Sequence, residues 1–156
     1  MSAAASARLR DAVAADARRI GEIARAAYRK YVPRIGREPA PMGADFAAEI
    51  ATRRVVVVEA DGGVVGYMVA WPQADGYFID NIAVDPAAQG RGLGRQLIDH
   101  AAHAARRHGL TALRLYTNVA MSENLSLYRR MGFVETHRAI EDGFSRVFMR
   151  CDLAPA

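Results

Sequence analysis

The chain has very little cysteine, almost no lysine and no long apolar run. Cys151 is the only cysteine among the 156 residues, so no disulfide framework can form and a reducing cytoplasm is the expected location. No segment approaches the roughly 18 consecutive apolar residues of a membrane-spanning helix, and the first residues lack the apolar core of a signal peptide. These absences predict a cytoplasmic protein that does not act at a membrane.

Positive charge is carried almost entirely by arginine, because Lys30 is the only lysine. The formal net charge of +4 at pH 7 could suit a nucleic-acid partner. However, the arginines are spread from Arg8 to Arg150 without a basic cluster, and no recognised nucleic-acid-binding motif is present. The pattern favours a solvated basic surface, and nucleic acid is not expected as a partner.

The most informative stretch is a glycine-rich loop between a predicted strand and a predicted helix. Residues 77–84 are mostly apolar and β-prone, and Asp85-Pro86 ends this strand because proline donates no ladder hydrogen bond. A helical pattern over residues 91–108 follows. Backbone N–H groups at a helix N-terminus lack helical partners and lie at the positive end of the helix dipole. The loop over residues 89–94 therefore predicts a phosphate site.

Two common phosphate-binding motifs do not fit this loop. A P-loop requires Lys-Ser or Lys-Thr after its glycines, and neither pair follows them here. A dinucleotide fingerprint needs a third glycine where Leu97 stands, and no acidic residue ends the next predicted strand, residues 111–117. What remains is a Gln-x-x-Gly-x-Gly pattern with basic neighbours, made of Gln89, Gly92 and Gly94 with Arg91 and Arg95.

A second segment gives this pattern a family context. Residues 123–133 read ENLSLYRRMGF and follow the predicted strand 111–117. The loop resembles the acetyl-coenzyme A signature of the GNAT N-acetyltransferase superfamily, and residues 123–133 resemble its "N…LY…GF" segment. Two motifs in this order, with a strand between them, are more specific than either alone. The region of resemblance extends over roughly residues 55–153.

The resemblance implies one GNAT domain over residues 1–156 with an α+β fold. Its sheet would be mixed, mostly antiparallel and six- to seven-stranded, flanked by about four helices, with its central strands splayed for the cofactor. The predicted strands are residues 7–13, 55–60, 64–71, 77–84, 111–117, 133–140 and 144–153. The predicted helices are residues 16–31 with Asp16 as N-cap, 44–52, 91–108 and 122–131, with breaks at Pro33, Gly36, Pro39 and Pro41.

The resemblance also implies how acetyl-coenzyme A would be bound as a co-substrate. The backbone groups of Ile82 and Val84, on either side of Ala83, would pair with its pantetheine arm, and an N–H there would polarise the thioester carbonyl. The pyrophosphate would lie on backbone amides of the glycine loop. The implied cofactor-binding residues of the loop are Gln89, Gly90, Arg91, Gly92, Leu93, Gly94 and Arg95.

Tyr128 matches the family tyrosine that lies near the sulfur and protonates the departing thiolate. The family asparagine lies seven residues before that tyrosine, where this chain has Met121. Asn118 and Asn124 are the two candidates for the missing contact with the cofactor arm. Asn124 is preferred, because it lies in the predicted short helix that carries Tyr128.

The sequence offers several candidates for the general base but only one for the general acid. An amine acceptor is largely protonated at pH 7 and must lose a proton before it attacks. Asp80 and Asn81 lie on the strand 77–84, and Glu59 lies on the strand 55–60, so any of them could act directly or through a water. Asp80 is the predicted catalytic residue. The equally open alternative is that Asp80 is a strand-end carboxylate with a structural partner.

No metal is expected in this chemistry. His100 and His103 lie on one helix and His108 follows, but no carboxylate or cysteine completes a ligand set with them. Cys151 stands near the end of the last predicted strand without a paired His–Asp pattern, so a covalent nucleophile is not expected.

Together these features predict an N-acetyltransferase that moves the acetyl group of acetyl-coenzyme A to a primary amine by direct attack. The acceptor would be a small-molecule or peptide amine, and the protein would be a monomer or a homodimer. Two alternatives stay open at the level of sequence. One is a coenzyme A-binding regulatory module without turnover, and the other is an acyltransferase that uses a longer acyl-coenzyme A.

Overall fold

The computed structural model describes residues 7–155. Its strands are β1 (Arg8–Asp11), β2 (Val55–Ala60), β3 (Gly63–Gln73), β4 (Gly76–Val84), β5 (Ala112–Asn118), β6 (Val134–Glu141) and β7 (Phe144–Asp152). Its α-helices are α1 (Ala17–Tyr28), α2 (Val32–Ile35), α3 (Phe46–Ala51), α4 (Leu93–Arg107) and α5 (Ser122–Arg130). No helix within residues 7–155 has the length and apolar character needed to cross a membrane.

The described strands form one seven-stranded sheet in the order β1-β2-β3-β4-β5-β7-β6. The pairs β1–β2, β2–β3, β5–β7 and β6–β7 are antiparallel, whereas β4 and β5 are parallel. A parallel pair needs a long crossover, and α4 lies in the connection between these two strands. The predicted α+β fold and the predicted parallel pairing are confirmed.

The parallel ladder between β4 and β5 is short. Its register runs from Tyr77–Leu113 to Ile79–Leu115, although β4 continues to Val84 and β5 to Asn118. The splay that the resemblance implies beyond these pairs stays a prediction.

The chain divides into two compact units, each with its own core. The first unit contains residues 7–70 and 81–99. Val57 and Val58 are adjacent in β2 and therefore point to opposite faces, and both are fully buried, so this strand is buried on both faces. Tyr67 packs edge-to-face on Phe46, with 5.2 Å between ring centroids. Burying each such side chain contributes about 1.5–3 kcal/mol to folding.

The second unit contains residues 71–80 and 100–155. Its β5 and β7 pair along their length, from Ala112–Asp152 to Asn118–Arg146. The apolar residues of these strands that point to one face are almost fully buried, as Leu113, Leu115 and Met149 show. This alternation is the period-two pattern expected of a sheet with one face on the core.

The prediction that Asp16 is the N-cap of α1 is right in position, but its side chain does not cap the helix. Asp16 lies at the N-cap position but adopts a helical conformation and makes no side-chain cap hydrogen bond. Its carboxylate instead accepts the backbone N–H of Val13 and two hydrogen bonds from Arg10. A bidentate guanidinium partner is a stronger ligand than a helix amide, and it draws the carboxylate away from the cap.

The prediction that Pro33 breaks the chain is also wrong in detail. A single 3-10 turn, Arg29–Tyr31, follows α1, and α2 then begins at Val32 with Pro33 in its first turn. Proline is tolerated there because the first helical N–H groups have no partner within the helix. The helix ends instead at Gly36, whose φ of 90° is left-handed.

Candidate functional site

The first unit places the end of β4 directly before the glycine loop. Asp85 ends the strand: its backbone N–H donates to Val65 O at 2.8 Å, and its carboxylate accepts the Ala87 N–H at 3.0 Å. Arg19 donates to the same carboxylate at 2.6 Å. The hydrogen bond from the Ala87 N–H, and to a smaller extent the one from Arg19, hold the pKa of the Asp85 carboxyl below its usual value. The loop therefore starts from a fixed point on the sheet.

The backbone carbonyls of Ile82 and Val84 lie at the end of β4, just before the glycine loop. Both carbonyls already accept side-chain hydrogen bonds at 3.1 Å, Ile82 O from the Tyr28 hydroxyl and Val84 O from Gln89 Nε2. A carbonyl oxygen has two lone pairs, so each retains capacity for a second donor.

The glycine loop is shaped for close approach of a ligand to its backbone. Gly90 and Gly92 have φ values of 86° and 77°, in the left-handed region that glycine enters without steric cost. A Cβ added to Gly90, Gly92 or Gly94 would meet no neighbouring atom within 4 Å, so the space beside the loop is open.

Helix α4 begins inside this loop and supplies unpaired amides. The N–H of Gln96 donates to Gly92 O at 3.1 Å and closes the first helical turn. The N–H groups of Leu93, Gly94 and Arg95 therefore precede the first hydrogen bond of the helix. Amides at the positive end of a helix dipole, beside glycines without side chains, fit a phosphate or pyrophosphate group.

The two arginines of the loop differ in their surroundings. Arg91 forms an ion pair through Nη1 with Oδ2 of Asp61, which lies in the turn between β2 and β3. Arg95 is exposed and makes no ion pair within the described part of the chain. Arg91 is therefore tied to a carboxylate, whereas Arg95 is turned to solvent.

The second unit carries Tyr128 on α5. The side chain is buried, at 8% exposure, and packs edge-to-face on Phe133 with 5.7 Å between ring centroids. The backbone also joins these residues, because Phe133 N donates to Tyr128 O at 3.0 Å. The segment identified by its LY…GF pattern thus fixes the tyrosine ring between a helix and the start of a hairpin.

The two candidate asparagines have different partners. The side-chain oxygen of Asn118 accepts the Ala120 N–H at 2.9 Å and closes the turn after β5. The Nδ2 group of Asn124 lies 3.6 Å from the sulfur of Met121, which is a weak acceptor. Asn118 is therefore engaged in local structure, and the amide of Asn124 has the weaker contact.

Asp80 faces a phenol in the second unit. The Tyr116 hydroxyl donates to Asp80 Oδ1 at 3.4 Å, which is a long hydrogen bond. Burial, and then the nearby charge of Asp80, raise the pKa of Tyr116 to about 12. The phenol therefore stays protonated at neutral pH and acts as a donor to Asp80.

The alternative base Glu59 is occupied by two cations. Its carboxylate lies 3.2 Å from Arg8 Nη2 and 3.2 Å from Arg10 Nε. Asn81 is buried and carries no carboxylate. Of the two candidate carboxylates from the sequence, Asp80 accepts a hydrogen bond from a phenol, whereas Glu59 pairs with two arginines.

Three residues near these groups were missed from the sequence: Tyr28, Asp61 and Tyr116. Each acts across a long sequence separation, such as the 54 residues between Tyr28 and Ile82. The period-two alternation of β5 could have placed Tyr116 on the face opposite Leu115, but nothing in the sequence pairs Tyr28 or Asp61 with its partner. Within residues 7–155, no cluster of three or more His, Cys, Asp or Glu side chains could hold a metal ion.

A family model described as "Acetyltransferase (GNAT) domain" matches residues 51–135. Streptothricin acetyltransferase of Streptomyces lavendulae is 38% identical over 86 residues, which are 53% of this chain and 44% of that protein. IAA acetyltransferase of Azospirillum brasilense is 36% identical over 84 residues, 53% of this chain and 55% of that protein. The chain thus spans about half the length of these relatives, or less.

Solved structures share the fold at low sequence identity. The PaiA N-acetyltransferase of Thermoplasma acidophilum, in complex with coenzyme A, has a TM-score of 0.76 at 18% identity, covering 95% of this chain and 99% of that one. The ribosomal-protein-S18-alanine N-acetyltransferase of Escherichia coli has a TM-score of 0.75 at 21% identity, covering 97% and 96%. These likenesses bear on the fold of the sheet and its helices.

Proposed function

Because the chain belongs to the GNAT acetyltransferase family, we propose that it transfers the acetyl group of acetyl-coenzyme A to a primary amine by direct attack. The observation that carries the proposal is the glycine loop at the start of α4. Its left-handed glycines, open space and helix N-terminal amides fit the pyrophosphate of the co-substrate. Bound there, acetyl-coenzyme A would supply an activated acetyl thioester.

The first unit would bind and orient the co-substrate in this proposal. Amides from Gly90 to Arg95 would hold the pyrophosphate, and the edge of β4 at Ile82 and Val84 would pair with the pantetheine arm. The Tyr28 and Gln89 hydrogen bonds support this assignment, because they fix the two carbonyls of that edge. A preorganised N–H donor at the edge would stabilise negative charge on the thioester oxygen.

Tyr128 would act as general acid and Asp80 as the group that accepts the amine proton. The Tyr128 hydroxyl would protonate the sulfur as the C–S bond breaks and the C–N bond forms. A thiol titrates near about 8.5 and a tyrosine near about 10, so this proton transfer is uphill by roughly 2 kcal/mol before positioning helps. Tyr116 donates to Asp80, which would keep the carboxylate oriented while it takes up the proton.

The proposed acceptors are primary amines on small molecules or peptides. Relatives of the chain include a streptothricin acetyltransferase and a ribosomal protein bS18-alanine N-acetyltransferase, and the latter is 33% identical over 76 residues. Streptothricin, and peptides that carry the bS18 alanine, are therefore the first acceptors to examine. The cytoplasmic location and the choice between monomer and homodimer stay predictions.

The test is a thiol-release assay with acetyl-coenzyme A and a panel of these amines, with the product identified by mass. We expect acceptor-dependent thiol release and a product heavier by one acetyl group. Tyr128→Phe should lower kcat by about 10²- to 10⁴-fold, the range for loss of a general acid, while calorimetry shows unchanged acetyl-coenzyme A binding.

The matched control is Tyr77→Phe, which removes a phenol hydroxyl from β4 outside the proposed machinery, and its kcat should match the parent. Thiol release without any acetylated amine, or a Tyr128→Phe variant as active as the parent, would contradict the proposed chemistry. Faster turnover with a longer acyl-coenzyme A would redirect the proposal to another acyl donor.

A further inference from the structure

The Arg91–Asp61 ion pair joins the glycine loop to a different element of the first unit. Asp61 lies in the β2–β3 turn with a φ of 56°, a left-handed conformation that aspartate and asparagine adopt more readily than most residues. Arg91 reaches it from the loop across 30 residues of sequence. One of the two arginines of the loop is therefore directed at an acidic side chain.

This pair is exposed and can be exchanged. The side chains of Arg91 and Asp61 are 48% and 66% accessible to solvent. Exposed ion pairs are weak, because water and salt screen them and because holding two long side chains costs entropy. A guanidinium also binds a phosphate through two parallel hydrogen bonds, which makes a phosphate an effective competitor for a single carboxylate.

We infer that Asp61 competes with the pyrophosphate of acetyl-coenzyme A for the Arg91 guanidinium, so that this carboxylate limits the affinity of the loop for its ligand. The inference rests on the proposed function, because it takes the glycine loop as the pyrophosphate site. Arg91 exchanges its carboxylate partner for the phosphate when the ligand binds. Asp61 acts through Arg91 and is a residue that tunes affinity, without a role in the chemical step.

A double-mutant cycle read by calorimetric titration with acetyl-coenzyme A tests this directly. Asp61→Asn removes the charge and keeps a residue that tolerates the left-handed turn. The dissociation constant should fall by about two- to five-fold, the scale of an exposed ion pair. Arg91→Gln should raise it. In the Arg91→Gln background, Asp61→Asn should then have no further effect.

The chain offers a matched control in another hairpin. Asp142 has a φ of 52° and precedes Gly143, just as Asp61 precedes Gly62. Asp142→Asn therefore makes the same change of net charge at the same turn position and leaves the Arg91–Asp61 pair in place. Its dissociation constant should equal that of the parent protein.

Three results would overturn the inference. Asp61→Asn could bind no tighter than the parent, it could bind tighter even when Arg91 is glutamine, or Asp142→Asn could bind as tightly as Asp61→Asn. The last two results would mean that the overall charge of the protein, rather than competition for Arg91, sets the affinity for acetyl-coenzyme A. A parent protein that binds no acetyl-coenzyme A would instead remove the proposed function itself, which keeps the two failures apart.

Discussion

At the scale of single residues, Asp16 shows how an ion pair with a nearby arginine can take the place of a helix cap. Its carboxylate is 11% exposed and accepts Arg10 at 2.8 Å and Val13 N at 2.8 Å. The hydrogen bond from Arg10 holds the pKa of the Asp16 carboxyl below its usual value. Burial acts to raise this pKa, and the hydrogen bond from Val13 lowers it further. The residue therefore ties β1 to the start of α1 in its charged form.

The stability of the protein should depend on pH through this residue. A carboxyl whose pKa is lowered by folding contributes stability above its unfolded value of about 3.9, and loses it as the pH falls through the folded value. Asp16→Asn should lower the free energy of unfolding by about 1.5–3 kcal/mol at neutral pH, the value of a hydrogen bond to a charged group. The difference in the free energy of unfolding between the parent and Asp16→Asn should be smaller in strong acid.

Urea unfolding at about pH 7 and about pH 3 measures this difference. Asp99→Asn, on an exposed position of α4, makes the same charge change as a control and should alter stability little at either pH. If Asp16→Asn lowered the free energy of unfolding equally at the two pH values, Asp16 would not be stabilising the fold as an ionised partner of Arg10.

The residue scale is also where sequence reasoning falls short. The glycines and Tyr128 are proposed as site residues from their motifs, and Asp80 from its position on a strand; their roles stay predictions. The partners could not be predicted, because Tyr28, Arg19 and Asp61 reach their partners only through the folded sheet. A hydrogen bond between side chains many residues apart leaves no periodic signal in the chain.

At the scale of elements, the junction between the loop and α4 holds two glycines with different tasks. Gly92 has a φ of 77°, which a residue with a Cβ adopts only under strain. Gly94 lies within α4, has no left-handed φ, and would accept a Cβ with no atom within 4 Å. Of these two glycines, only Gly92 has a backbone conformation that requires glycine when no ligand is bound.

Alanine should therefore have opposite effects at these two positions. Gly94→Ala should raise the free energy of unfolding by about 0.5–1 kcal/mol, because alanine has a higher helix propensity. Gly92→Ala should lower it by about 1–2 kcal/mol, the cost of a left-handed conformation. Thermal or urea unfolding of both variants measures the difference, and a destabilised Gly94→Ala variant would contradict the assigned conformation.

Element boundaries follow from local signals where these are strong. Gly109, with a φ of 71°, follows the end of α4, and Asp61-Gly62 forms the turn between β2 and β3. The segment after α1 was not predictable in the same way, because Pro33 can either break a helix or occupy the first turn of a new one.

At the scale of the whole molecule, sheet order follows from the sequence only with the family resemblance. Local sequence patterns predict the strands, and the helix between β4 and β5 predicts their parallel pairing. The insertion of β7 between β5 and β6 is a long-range choice that strand patterns do not encode. The match to the GNAT domain over residues 51–135 accounts for why the motif order was nonetheless informative.

The central claim is that the glycine loop binds the pyrophosphate of acetyl-coenzyme A. Gly94→Glu tests it better than a change at Gly92, because a Cβ at Gly94 neither strains the backbone nor meets a neighbour. A glutamate in the first helical turn also suits the helix dipole, so the variant should fold. The control is Gly43→Glu, which adds the same charge at another open glycine.

The decisive measurement is calorimetric titration of the parent and these two variants with acetyl-coenzyme A. The account predicts that the parent and Gly43→Glu bind alike. Gly94→Glu should bind at least about five-fold more weakly, since two like charges at about 4 Å repel by about 1–4 kcal/mol between bulk water and a protein surface. A folded Gly94→Glu variant that binds as tightly as the parent would contradict the account.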